Sequence, residues 1–157
     1  MKIFECASFI LVRDGSILIE KRKLTKKGDP GMTAIPGGHC EEGESIEQSL
    51  LRELNEELGI KPINYHYVCT LFHPSDEFQK IHYFAILAWS GAIQNNEAES
   101  LSWCPLDKIE LIDIPADRVA AREYRRVFEK TNLNDNTQQH SLSFICNNNS
   151  SSMDSFE

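Results

Sequence analysis

The sequence predicts a mixed α/β (α+β) domain in which helices pack on a mixed β-sheet as a helix–sheet–helix sandwich. Three observations lead there. Strand-like runs occupy the first third of the chain and resume after Pro62. One strongly amphipathic helical segment lies between the two groups of strands. A second helical pattern follows the last strand. With 157 residues, 41% of them hydrophobic, the chain can bury one proper core.

Phe4 to Val12 reads as a strand rich in apolar and β-branched residues, and Asp14-Gly15 then supplies a two-residue hairpin turn. Ser16 to Lys21 returns as the second strand. Arg22 to Gly31 is a polar loop ending in Asp-Pro-Gly. Thr33 to Pro36 is a short extended piece, and Gly37-Gly38 reads as a break before the helix. Ser45 is a good N-cap, Gly59 a good C-terminal stop, and Ile46, Leu50, Leu54 and Leu58 form one apolar stripe between them. Strands are expected at about Ile63 to Phe72 and Ile81 to Trp89, joined by His73 to Lys80 with Pro74-Ser75-Asp76 as turn residues. A polar loop, Gly91 to Ser100, leads to a short strand at Leu101 to Cys104. Pro115 suits the first turn of a final helix running to about Glu129, with Val119, Ala120, Tyr124, Val127 and Phe128 towards its inner side. Residues 1–130 therefore read as one domain. Residues 131–157, rich in Asn, Ser and Gln, read as a polar, disordered tail.

The segment Gly38 to Ile60, GHCEEGESIEQSLLRELNEELGI, carries the chemistry. Its 23 residues hold seven carboxylates (Glu41, Glu42, Glu44, Glu47, Glu53, Glu56 and Glu57) against a single cation, Arg52. Uncompensated carboxylates this close repel one another. An all-oxygen set suits a hard divalent ion such as magnesium or manganese. At about 100° per residue, Glu53, Glu56 and Glu57 share an arc at the edge of the apolar stripe. Charge buried there is costly unless it is paired or binds metal. A solvated acidic helix would instead show Glu–Lys pairs, and no lysine occurs between Lys27 and Lys61.

The same segment resembles the Nudix box, Gly-x(5)-Glu-x(7)-Arg-Glu-U-x-Glu-Glu-x-Gly-U, with U aliphatic. All nine specified positions are met, by Gly38, Glu44, Arg52, Glu53, Leu54, Glu56, Glu57, Gly59 and Ile60. The flanking pattern extends the likeness over roughly residues 3 to 130. The resemblance implies the Nudix fold. It also implies metal-dependent hydrolysis, with Mg²⁺ or Mn²⁺, of a nucleoside diphosphate linked to another group. Attack would come from a metal-activated water on a pyrophosphate phosphorus. It assigns the metal to Glu53, Glu56 and Glu57, with the Gly38 carbonyl as a fourth ligand, and has Arg52 orient a box glutamate, Glu44 or Glu53. Glu53 is the first choice for general base. Glu97 and Glu99, in the loop before the last strand, are the alternatives.

The run from Lys21 to Lys27 has five basic residues in seven and leads straight to the box, so it can steer and hold polyphosphate. Arg22 is the best phosphate contact, with Lys27 beside it in the run; a plain solvated loop is the competing reading. Phe72, His73, Phe78, His82 and Trp103 are candidates for stacking on or bonding to a base. The expected substrate is a nucleoside triphosphate, in MutT-like cleaning of the nucleotide pool. Alternatives are a coenzyme A or ADP-ribose pyrophosphatase and a non-catalytic nucleotide sensor. An isopentenyl-diphosphate isomerase shares the fold, but this chain is short for one.

A net charge of −8 and a pI near 5.1 argue against a nucleic-acid partner. Five widely spaced cysteines without Cys-x-x-Cys suggest neither a zinc site nor a disulfide framework, and Cys40 reads as an inert thiol. No apolar run approaches the length of a membrane span, and none resembles a signal peptide. The expectation is a soluble, cytoplasmic protein, a monomer or homodimer, with a small-molecule nucleotide substrate.

Overall fold

The computed structural model describes residues 1–129, in two compact units, one covering Met1–Glu123 and the other beginning at Tyr124. The expected tail, residues 131–157, lies outside the described residues.

Seven strands form one mixed sheet: β1 (Ile3–Arg13), β2 (Ser16–Lys21), β3 (Thr33–Ala34), β4 (Gly37–His39), β5 (Lys61–Pro74), β6 (Phe78–Ser90) and β7 (Ser100–Pro105). The path runs β3-β2-β1-β6-β5, with β4 on β1 and β7 on β2. The β1–β6 pair is parallel and the others are antiparallel. Asp14 and Gly15 both take positive φ at the β1–β2 turn, as a tight hairpin demands. Beyond Val12↔Ile17 the two strands part. β1 accepts β4 through Cys6↔His39 and Ser8↔Gly37, while β2 pairs along its whole length with β7.

Helix α1 (Ile46–Leu58) has a complete capping box. The Gln48 backbone N–H donates to Ser45 Oγ, and the Gln48 side chain accepts from the Ser45 N–H. Gly59 closes the helix in the left-handed conformation at φ 67°. Leu50, Leu54 and Leu58 bury against Ala7, Phe9, Leu11, Leu18 and Ile86 on one face of the sheet. On the other face, Asp117 in the first turn of α2 (Pro115–Tyr124) is bonded to Tyr83 of β6, and Ala116 joins Ala34 and Ile114 in a smaller cluster. Helix–sheet–helix order follows.

Three local readings need correction. Gly37-Gly38 is not a break but strand β4, because these glycines serve close packing against β1; neither has positive φ. The strands flanking His73 to Lys80 run longer, to Pro74 and from Phe78, leaving a three-residue turn closed by Ser75 and Glu77. Both Pro62 and Pro74 lie inside β5, which the sheet tolerates because β5 is an edge strand. The final α-helix ends at Tyr124, and Arg125–Glu129 continues as a wider π-type turn. Ala120 and Tyr124 are buried as expected, but Val119 and Val127 are exposed, and Ala116, Asp117 and Ala121 join the buried side. An unexpected 3₁₀ segment, Leu106–Leu111, links β7 to α2. Within the second unit, the Tyr124 ring stacks on Phe128 at 5.5 Å, and Arg125 Nε donates to Glu129.

Candidate active site

Two helical turns of α1 bring carboxylates to the sheet. Glu53 and Glu57 sit four residues apart beside the Leu50–Leu54–Leu58 stripe, and both are buried. The loop after β6 returns to them, anchored where the Gln94 and Asn96 N–H groups donate to the Leu58 and Glu57 carbonyls. It places Glu97 beside the helix. One carboxylate oxygen each from Glu53, Glu57 and Glu97 lies within 4.8 Å of the other two. Glu20 of β2 points to the same side as Leu18 and is 1% exposed. Its charge adds to the field at Glu57.

This concentration of acid shows in the titration. Burial, then the charge of Glu20, pushes Glu57 well above the usual carboxylate range. Burial also raises Glu53 and Glu20. At Glu97 burial acts the same way, but the Lys26 ammonium outweighs it and holds the group low. Lys26 Nζ lies 2.5 Å from Glu97 Oε1 and 3.8 Å from Glu57 Oε1.

Arg52 braces the cluster from the other side. Its Nε and Nη2 donate to the two Glu44 oxygens at 2.7 and 3.0 Å, and Nη1 donates to Glu53 at 2.8 Å and to Glu56 at 3.1 Å. Nη2 also donates to the His39 carbonyl at 2.9 Å, tying the helix to β4. The fork holds the Glu44 carboxyl down at about 2. Gly38 faces the cluster directly, since a Cβ at this position would overlap the Glu53 carboxylate. Backbone and carboxylate are therefore in intimate contact, as they must be if a carbonyl and a carboxylate share one ion.

Beside Gly38 opens a small cleft whose walls carry Ser8, Arg22, Asp29, Ile35, His73 and Asp117. Asp117 Oδ2 accepts from the Ile35 N–H at 2.7 Å and Oδ1 from the Tyr83 O–H at 2.6 Å. Burial raises its carboxyl to about 6 against these two bonds. His73 Nε2 pairs with Asp29 Oδ2 at 2.8 Å across the same cleft.

The anticipated residues are distributed as follows. Glu53 and Glu57 meet in the cluster beside Gly38; Glu56 is turned out to Arg52, its side chain 56% exposed. Of the two loop acids, Glu97 reaches the cluster. Glu99 lines a separate cleft with Arg13 and Trp103. In that cleft the Arg13 guanidinium lies 4.8 Å from the Trp103 ring and 5.2 Å from Trp89. Arg22 spends its donors on Glu20 and on the Lys27 and Gly28 carbonyls, which fixes the basic loop. The Lys27 side chain is exposed. Phe72 is exposed and stacked on Phe78 at 5.5 Å. The sequence reading passed over Glu20 and Asp117. Glu20 left a signal, a lone acid next to an unbroken apolar run in β2; Asp117 resembled an ordinary first-turn helix acid.

Three acidic oxygens this close form an all-oxygen donor set of the kind that could hold a hard divalent cation. The comparisons agree with that chemistry. The NUDIX domain family matches residues 5–130. The CTP pyrophosphohydrolase of Escherichia coli (strain K12) is 34% identical over 119 residues, 74% of this chain and 87% of that protein. The 8-oxo-dGTP diphosphatase of Buchnera aphidicola is 28% identical over 116 residues, 74% and 88% respectively. Among solved structures, a MutT NUDIX hydrolase from Burkholderia pseudomallei superposes with a TM-score of 0.71 at 28% identity, covering 78% of this chain and 98% of its own. No helix among the described residues is long and apolar enough to cross a membrane. A complete box, seated on α1 with its carboxylates gathered at the sheet, and a family match over most of the chain show that this protein belongs to the Nudix hydrolase family.

Proposed function

We propose that this Nudix pyrophosphohydrolase cleaves free nucleoside triphosphates, with Mg²⁺ or Mn²⁺ as the ion, as a nucleotide-pool enzyme of the cytoplasm, monomeric or homodimeric. The observation that carries the reading is the convergence of Glu53, Glu57 and Glu97 within 4.8 Å beside a polar cleft. The similarity to a CTP pyrophosphohydrolase and to an 8-oxo-dGTP diphosphatase supports a triphosphate.

In this reading Glu53 and Glu57 hold the ion with the Gly38 carbonyl. Glu97 is the ready third carboxylate, and Glu56 joins by leaving Arg52. When bound, the ion supplies phosphate neutralisation and a water of lowered pKa. Glu53, raised by burial, would serve as the general base toward the attacking water. Arg52 and Glu44 position Glu53 through the bonded fork. The base enters the cleft beside Asp117, a buried carboxyl able to accept from an exocyclic amine when ionised and to donate when protonated. Arg22 and Lys27 would meet phosphate at the mouth of the basic loop, Arg22 only by exchanging one of its loop carbonyls. Phe72, exposed and stacked on Phe78, and Trp103, in the separate cleft with Arg13, would contact substrate only as outlying surfaces.

The test is product release with Mg²⁺ across CTP, ordinary and oxidised dNTPs, ADP-ribose, NADH, coenzyme A and diadenosine polyphosphates. A preference for one triphosphate, abolished by EDTA, is expected. Preference for ADP-ribose or coenzyme A would overturn the substrate assignment, and nucleotide binding without turnover would favour a sensor.

A further inference from the structure

Resting on the metal reading above, we propose that Lys26 is a tethered cation that the incoming divalent ion must displace, so that this lysine sets the protein's metal affinity. Its ammonium bridges Glu97 and Glu57, two of the three carboxylates that converge. Only 19% of its side chain is exposed, so it lies within the cluster and not over it. The other cations nearby are committed. Arg52 is held by Glu44, Glu53, Glu56 and the His39 carbonyl, and Arg22 by Glu20 and two loop carbonyls.

The loop is built for such an exchange. Arg22 grips the Lys27 and Gly28 carbonyls, and the Lys26 N–H donates to the Lys23 carbonyl at 3.1 Å. The backbone is thus anchored on both sides of Lys26, while four methylenes let the ammonium swing out. An ammonium held against Glu97 and Glu57 and a divalent ion bound to the same carboxylates repel each other as like charges at close range. Each binds at the other's expense. With the ion gone, Lys26 keeps Glu57 and Glu97 together against their own repulsion, so the ligand set stays assembled between turnovers.

The experiment is Mn²⁺ binding to the full chain, followed by electron paramagnetic resonance of the free ion at constant ionic strength. Lys26→Met should tighten Mn²⁺ binding by roughly tenfold, within the usual range of coupling between two ligands. Lys27→Met, which removes the same charge from the exposed neighbouring position, should change it by less than about threefold. Lys26→Arg should stay near wild type. Equal effects of the Met variants at 26 and 27 would reduce the effect to long-range charge and overturn the proposal, as would unchanged or weaker binding in Lys26→Met. Glu57→Gln tests the underlying site separately: if it leaves Mn²⁺ binding intact, the metal assignment fails whatever Lys26 does. A second readout uses the wild-type chain. Amine-reactive labelling read by mass spectrometry should show Lys26 protected in EDTA and exposed with Mg²⁺, and Lys27 labelled equally in both. Equal labelling of Lys26 in both conditions would also overturn the exchange.

Discussion

One methyl group added at Gly38 should cripple the enzyme, whereas the same group at Gly37 should destabilise the fold. At Gly38 the new Cβ falls far inside 3.0 Å of all three carboxyl atoms of Glu53, and nothing else is as close. The side chain can give way, but only by abandoning its place. Restoring ordinary contact takes a retreat of about 1 Å, and a misplacement of that size costs roughly 10²-fold in rate. It also stretches the 2.8 Å bond from Arg52. At Gly37 the obstacle includes backbone: the added Cβ lies 2.5 Å from the Ala7 carbonyl oxygen and 2.7 Å from Ser8 Cα. Strand β4 must move off β1, loosening the Ser8↔Gly37 and Ala7↔Gly38 register. Overpacking and a weakened ladder together cost about 3 kcal/mol. For a domain of this size that lowers Tm by about 10 °C. Calorimetry and steady-state turnover on the two variants decide the matter. Gly38→Ala should melt within a few degrees of wild type and lose about 10²-fold in kcat. Wild-type turnover in Gly38→Ala, or equal melting losses in both, would refute the contact geometry as the cause.

Glu53→Gln and Glu57→Gln should each lower kcat by at least about 10²-fold with the fold retained, since each loses a charged ligand or base; wild-type-like turnover in both would refute the site. Arg52→Lys keeps the charge but not the fork across Glu44, Glu53 and the His39 carbonyl. It should lose about 10²-fold in kcat, and full activity would show that charge alone suffices. Asp117 carries a pH signature. Its folded pKa, about 6, lies above the ordinary value of 3.8, so folding favours the protonated form. Its contribution is fully present below about pH 4 and is lost as pH rises towards 6, a change of roughly 2 to 3 kcal/mol. Denaturant unfolding from pH 4 to 7 should show that decline in wild type relative to Asp117→Asn, and parallel profiles would remove Asp117 as its source.

Much of this was readable beforehand because it is local. A capping box, a four-residue apolar repeat and a glycine stop define α1 without reference to the rest of the chain, and Asp14-Gly15 defines its own hairpin. The acids of α1 follow from periodicity, which puts Glu53 and Glu57 beside the buried stripe. Periodicity alone could not separate Glu56 from them. That took Arg52, whose reach to Glu44 and the His39 carbonyl draws Glu56 outward. Pro62 and Pro74 hid the true length of β5, because whether a strand is central or at an edge is a property of the sheet.

The sequence by itself determined the box, its helix, the concentration of carboxylates on it and the family reaction, since these depend on residue type at fixed short spacing. Only the tertiary structure decided which distant groups meet that helix. Glu97 comes from a loop 40 residues beyond Glu57, and Glu20 and Lys26 come from the segment before the box. Their meeting depends on strand pairing, on β1 beside β6 and β2 beside β7, and on how side chains alternate across the pleat. It depends too on two glycines that look like a turn and act as a tight seam, because close approach is visible only once both strands are in place.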